Sequence, residues 1–160
     1  QSVASARWPG RGIRVADIDR TIALYTELFG MKVTERHEPG ELRPGSLGAA
    51  FLRCGQNHHD LSVFFGPPGR VQPAGSEADT GLGPVAGPHH FAFLVDDRAA
   101  FEGMLARVRE RGIPIVHGPV KHSPTHPDGD GTWGENRAFY FCDPDGNRVE
   151  ITCEMAQIPE

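Results

Sequence analysis

At 160 residues the chain is long enough for one domain or two small modules that share a core, and 38% apolar with 23% charged residues excludes a disordered chain. A formal charge of −5 argues against nucleic acid and anionic membranes as partners, and no apolar run is long enough to span a bilayer. Cys54, Cys142 and Cys153 are odd in number, lack C-x-x-C spacing and follow no secretory signal, so they read as reduced thiols of a cytoplasmic protein.

Residues 11–16 form a short apolar strand that ends at Asp17 or Asp19, either of which can cap a helix. Ile18, Ile22, Tyr25 and Phe29 follow at helical spacing, and Gly30 suits the C-cap. Residues 31–36, 47–54 and 60–65 read as strands, so a first module, 10–66, has the order β-α-β-β-β. The Gly/Pro-rich segment 67–88 is a linker. The order then restarts in a second module, 89–152, followed by a tail, 153–160. Residues 90–95 are a strand, and Phe101, Met104, Leu105 and Val108 make a helical stripe that stops at Gly112 and Pro114. A strand near 114–117 leads into a long polar loop. Residues 139–142 and 148–152 then form a hairpin around the turn residues Asp143, Pro144, Asp145, Gly146 and Asn147.

The modules are imperfect copies of each other. Val15 and Asp17 fall on Val95 and Asp97, and Gly10 falls on His90. Residues 51–54 fall on 139–142, and Ser62 falls on Glu150. A unit that cannot bury its own sheet face needs a second copy to close a core.

Eight histidines, at 37, 58, 59, 89, 90, 117, 122 and 126, are the main chemical signal. His90 opens the first strand of the second module and Glu150 lies in its last, so both side chains can point into one concavity. Imidazole plus carboxylate is two thirds of the facial triad that suits non-haem Fe(II). Taken alone, such a pair is more often only hydrogen-bonded. His37, His117 and His126 read as surface residues, and His89 as structural or exposed. Residues 128–134 read as a flexible insertion, a candidate lid, without the ligand spacing of a calcium loop.

Residues 15–20 with 24–30, and Asp143 to Glu150, resemble the first strand and helix and the closing hairpin of the vicinal oxygen chelate superfamily of glyoxalases, antibiotic resistance proteins and dioxygenases. The resemblance covers about residues 10–152. It implies an α+β fold in which two βαβββ modules form a curved mixed sheet around a metal and substrate cavity, in a single domain, 1–160. A second layer resembles the type I extradiol catechol dioxygenases. His58, His59 and Asp60 look like their acid/base motif, with His59 as the acid/base. Residues 87–90 look like their paired histidines, with His90 the metal ligand. Residues 118–126 look like the segment that puts His122 in the pocket, and Tyr140 holds the place of a tyrosine beside the substrate oxygens.

The resemblance thus implies an Fe(II) enzyme that uses O₂ to cleave a small catechol, L-DOPA being one possible substrate. His90 and Glu150 would be metal ligands, and His59, His122 and Tyr140 catalytic residues, in a possible homodimer. Arg70, Lys121 or Arg137 could meet a substrate carboxylate.

One ligand is missing. The superfamily's first metal histidine should stand at position 10, which is Gly10. Either another histidine fills the gap, with His59 the best placed, or His90, Glu150 and waters hold the iron, or the modules are arranged differently from the usual pairing, so that the register at the first strand is different. Two other functions remain open. A metal-free small-molecule binding protein would need no ligand at position 10. A glyoxalase-like metal-dependent isomerase or lyase would want a carboxylate or amide where Ser62 stands.

Overall fold

The structure, a computed structural model, describes residues 10–42, 44–66, 90–132 and 134–157. The linker, Arg70 and His89 lie outside the described residues. The chain divides into two compact units, residues 1–73 and 74–160.

The first unit runs β1 (Arg11–Val15), α1 (Ile18–Phe29), β2 (Lys32–His37), β3 (Gly48–Arg53) and β4 (Leu61–Phe65). Its four strands make a mixed sheet in the order β1-β4-β3-β2, with β1 parallel to β4. The Asp17 carboxylate caps α1 by accepting from the Arg20 amide at 3.0 Å, and Gly30 closes it at φ 66°. That left-handed conformation favours glycine. The helix buries Ile18, Thr21, Leu24, Tyr25 and Leu28. Ile22 and Phe29 are half-buried, so the buried face is rotated from the stripe expected.

The second unit repeats the plan with β5 (Phe91–Leu94), α2 (Arg98–Glu110), β6 (Ile115–Lys121), β7 (Arg137–Cys142) and β8 (Arg148–Cys153), in the order β5-β8-β7-β6. The fold is α+β, built from two βαβββ modules. Phe101 of α2 meets Phe139 of β7 edge-on at 5.2 Å, and both are fully buried with Val149 and Ile151. Each such side chain contributes about 1.5–3 kcal/mol by leaving water.

Because side chains alternate along a strand, this packing turns Tyr140, Arg148 and Glu150 to the opposite face of the sheet. Strand β6 runs four residues past its expected end. Two register shifts interrupt it, and the second spans Gly118 and Pro119, whose peptide bond is cis, so turn residues that look like a strand end lie inside one.

The pairing tests the internal repeat. Leu61 opposes Arg11 as Val149 opposes Phe91, so Gly10 does hold the place of His90 and Ser62 that of Glu150. A different register at the first strand is thereby removed. In the third strand of each unit the expected alignment is off by one: Phe51 opposes Ser62 as Tyr140 opposes Glu150. No helix among the described residues is long and apolar enough to cross a membrane.

The closing hairpin depends on Asp143, whose Oδ1 accepts from the amides of Asp145 and Asn147 at 3.0 and 2.9 Å. Its residue is only 4% exposed. Asp143→Ala leaves buried amides without an acceptor and is expected to cost about 2 kcal/mol, read as a lower urea midpoint at unchanged m value.

Candidate metal and substrate site

The parallel pairing of β5 with β8 sets Ala92 beside Glu150 and brings His90, just ahead of β5, to the same end. His90 Nε2 lies 3.0 Å from Glu150 Oε2. Glu150 is 7% exposed, and a buried carboxylate is costly unless partnered. Tyr140, opposite it on β7, supplies a second partner through its hydroxyl. Burial first, then the charge of Glu150 and the hydrogen bond to it, push the Tyr140 hydroxyl up to about 12. It therefore stays protonated near neutral pH and donates.

Tyr140 is enclosed on several sides. The His90 ring meets it edge-on at 5.5 Å, His117 tilts against it at 5.5 Å, and the Arg148 guanidinium carbon lies 4.8 Å from its centroid. His117 is exposed, yet its ring belongs to this group. The bulge in β6 puts it opposite Tyr140, which its neighbours in sequence do not reveal. Arg148 had a readable signal, since it stands two residues before Glu150 on one strand and so shares its face.

The structure thus brings His90, Tyr140 and Glu150 together. His122 follows the last residue of β6 and contacts Asp130 and Thr132. His126 accepts the Asp128 amide at its Nδ1, a loop-closing contact. Lys121 and Arg137 both face Glu154, so neither cation is set aside for a substrate.

Donor chemistry and spacing both bear on a metal. Two ligands about 2.1 Å from a six-coordinate ion, at right angles to each other, stand about 3.0 Å apart. The His90–Glu150 separation matches two adjacent positions of such an ion. Among the described residues no group of three or more His, Cys, Asp or Glu side chains is gathered to hold one. Gly10 supplies no ligand, and its backbone forbids one. It sits at φ 147°, and a Cβ there would lie 2.5 Å from the Asp60 carbonyl oxygen.

In the first unit His59 shares its Nδ1 with His58 Nδ1 at 2.9 Å, and His58 Nε2 meets Glu35 at 3.0 Å. Glu35 accepts, so with neutral rings the donors run from His59 to His58 to Glu35. The His59 Nε2 is then left as an acceptor. Both rings pack on Phe51. The other oxygen of Glu35 binds His37 Nε2 at 2.7 Å, and His37 Nδ1 reaches Glu41.

Hydrogen bonds to Glu35 and then Glu41 raise His37 above its ordinary value of 6.5. The His37 hydrogen bond, more than any other cause, lowers Glu35 below its ordinary 4.5. A raised histidine contributes fully below 6.5 and loses its contribution as pH rises through the raised value. A lowered carboxylate contributes fully above 4.5 and loses its contribution as pH falls through the lowered value. Relative to Glu35→Gln, the parent chain should therefore gain most in urea midpoint between pH 4.5 and 6.5. That gain should fade at alkaline pH. Gly10→His, which would place a histidine where the superfamily resemblance expects one, is expected to lose about 2 kcal/mol or more in the same assay because the backbone must move.

Comparison with known proteins fits this architecture. Biphenyl-2,3-diol 1,2-dioxygenase 3 of Rhodococcus globerulus is 32% identical over 111 residues, 69% of this chain and 48% of that protein. Catechol-2,3-dioxygenase of Bacillus subtilis strain 168 is 28% identical over 139 residues, 87% of this chain and 38% of that protein. The chain therefore spans less than half the length of either. Among solved structures, the trypanothione-dependent glyoxalase I of Leishmania major superposes with a TM-score of 0.61 at 27% identity, covering 94% of this chain and 88% of that one. Residues 10–151 match the sequence profile of one family, and the chain belongs to it: the Glyoxalase/Bleomycin resistance protein/Dioxygenase superfamily.

Proposed function

We propose that the chain is an extradiol dioxygenase that uses O₂ to cleave the ring of a small catechol, L-DOPA being the first to try, at a non-haem Fe(II) held by His90 and Glu150. The observation that supports it most is the 3.0 Å approach of an imidazole nitrogen to a buried carboxylate already bound by a tyrosine. The names of the two dioxygenase relatives point the same way. Ferrous iron bound there would supply open positions for both catechol oxygens and O₂.

The protein's own part is orientation and proton management. Tyr140, protonated across the working range, holds Glu150 and can donate to a substrate oxygen. The His122 ring can take a proton from a substrate hydroxyl and, once it carries that proton, donate to an oxygen on which negative charge develops. In this reading His59 carries a proton, which its Nε2 suits.

A second reading rests on Gly10. The contact that a Cβ would make with Asp60 excludes the superfamily's usual first ligand, as a metal-free small-molecule binding protein would tolerate.

The test is to load the chain with Fe(II) without air, add catechol or L-DOPA with O₂, and follow oxygen uptake and a yellow ring-opened product. Uptake of one O₂ per catechol is expected, falling at least about 10²-fold in Glu150→Ala. Retained binding of an aromatic ligand with neither iron nor uptake would favour the metal-free protein.

A further inference from the structure

The insertion after β6 carries a carboxylate with no counterpart in the site described so far. His122 extends the β6–β7 ladder, with its amide donating to the Asn136 carbonyl at 2.8 Å. The chain then loops out and returns. The Asp130 amide donates to the Lys121 carbonyl at 3.0 Å, Gly129 bridges to Lys121, and the Gly131 amide donates to the Ser123 carbonyl at 3.1 Å. A Cβ at Gly129 would collide with the Ser123 carbonyl, so the return is possible only with glycine there. The described part of this insertion is thus tied to β6 by backbone bonds.

The return delivers Asp130 to His122. Asp130 Oδ2 lies 2.6 Å from His122 Nδ1. Asp130 Oδ1 accepts from the Thr132 amide at 2.9 Å and from the Thr132 hydroxyl at 2.6 Å. These Thr132 donors, with a smaller contribution from His122, hold the Asp130 carboxyl down at about 2. An ionised carboxylate only accepts, so the proton in the 2.6 Å contact belongs to His122 Nδ1. The Thr132 hydroxyl, its hydrogen given to Asp130, presents a lone pair to the same Nδ1 at 3.2 Å. Both contacts demand the same tautomer. Nε2 has no hydrogen-bond partner among the described residues.

We propose that Asp130 is a positioning residue that keeps His122 protonated at Nδ1 and turns its Nε2 toward bound substrate, which makes the insertion part of the site; its catalytic consequence rests on the ring-cleaving reading. A carboxylate on one imidazole nitrogen fixes the ring's orientation and tautomer and stabilises positive charge on it when the other nitrogen takes a proton. His122 opposes Asn136, whose side chain reaches Thr152 at 2.9 Å, and by alternation Asn136 and Thr152 share the faces of Tyr140 and Glu150, so the pair lies on the side of the sheet that carries the His90–Glu150 group.

The test uses the full chain with ¹⁵N-labelled histidine, His122 being assigned by loss of its signals in His122→Gln. Two-bond ¹H–¹⁵N correlations above the imidazole titration should show Nδ1 protonated and Nε2 bare. Asp130→Asn can offer an N–H to Nδ1 and should move the ring toward the other tautomer, and Thr132→Ala should do so less. Asp130→Asn should lower kcat for ring cleavage about 10²-fold or more with KM within about threefold. Should Asp130→Asn fail to fold, Thr132→Ala carries both measurements. An Nε2-protonated ring in the parent, or a tautomer indifferent to both variants, would overturn the proposal. The tautomer measurement needs no turnover. A locked ring in a chain that cleaves no catechol would uphold the hold of Asp130 on His122 and overturn its catalytic consequence together with the ring-cleaving reading.

Discussion

The site described here depends on one contact, the 3.0 Å approach of His90 Nε2 to the buried Glu150 carboxylate. A carboxylate shielded from water is stable only if its charge is answered. The parallel ladder between β5 and β8 sets the partner's position, and the T-shaped packing of Phe101 on Phe139 across the sheet fixes which face Glu150 must use. A one-residue slip of β8 would send Glu150 into that apolar face and Val149 into the site. The fold and the site therefore rest on the same register.

The two units share that register but not its chemistry. Where the second unit has His90, Glu150 and Tyr140, the first has Gly10, Ser62 and Phe51. Each replacement removes a polar or charged function. The absence at position 10 is built into the backbone, since a side chain there would meet the Asp60 carbonyl. The histidines of the first unit, His58 and His59 on one side and His37 on the other, instead meet at Glu35. The two metal-type donors that lie against each other, His90 and Glu150, both belong to the second unit.

Much of the fold was readable because strand alternation and helix caps are local. A cap at Asp17 or Asp19 and the Gly30 stop follow from turn chemistry, and the match of Gly10 to His90 from the internal repeat; the structure selects Asp17. The off-by-one alignment of Phe51 arose where aromatic and cysteine identity was matched in place of ladder register. His117 was hidden by two bulges that no sequence period encodes. Asp130 was hidden because its partner is reached only after the insertion folds back on β6, through contacts that depend on Gly129. Residues whose role comes from the return path of a loop lie beyond pattern reading, whereas Arg148 was within its reach.

The most direct measurement of the central claim is Fe(II) binding by anaerobic titration calorimetry on the full chain and on His90→Ala and Glu150→Ala, with folding checked by circular dichroism. The expected result is about one ion per chain in the parent and at least about 10²-fold weaker binding in each variant, since each removes one of the two proposed protein ligands. Undiminished binding in the folded Glu150→Ala chain, or no binding in the parent, would contradict the assignment of this pair as the metal centre.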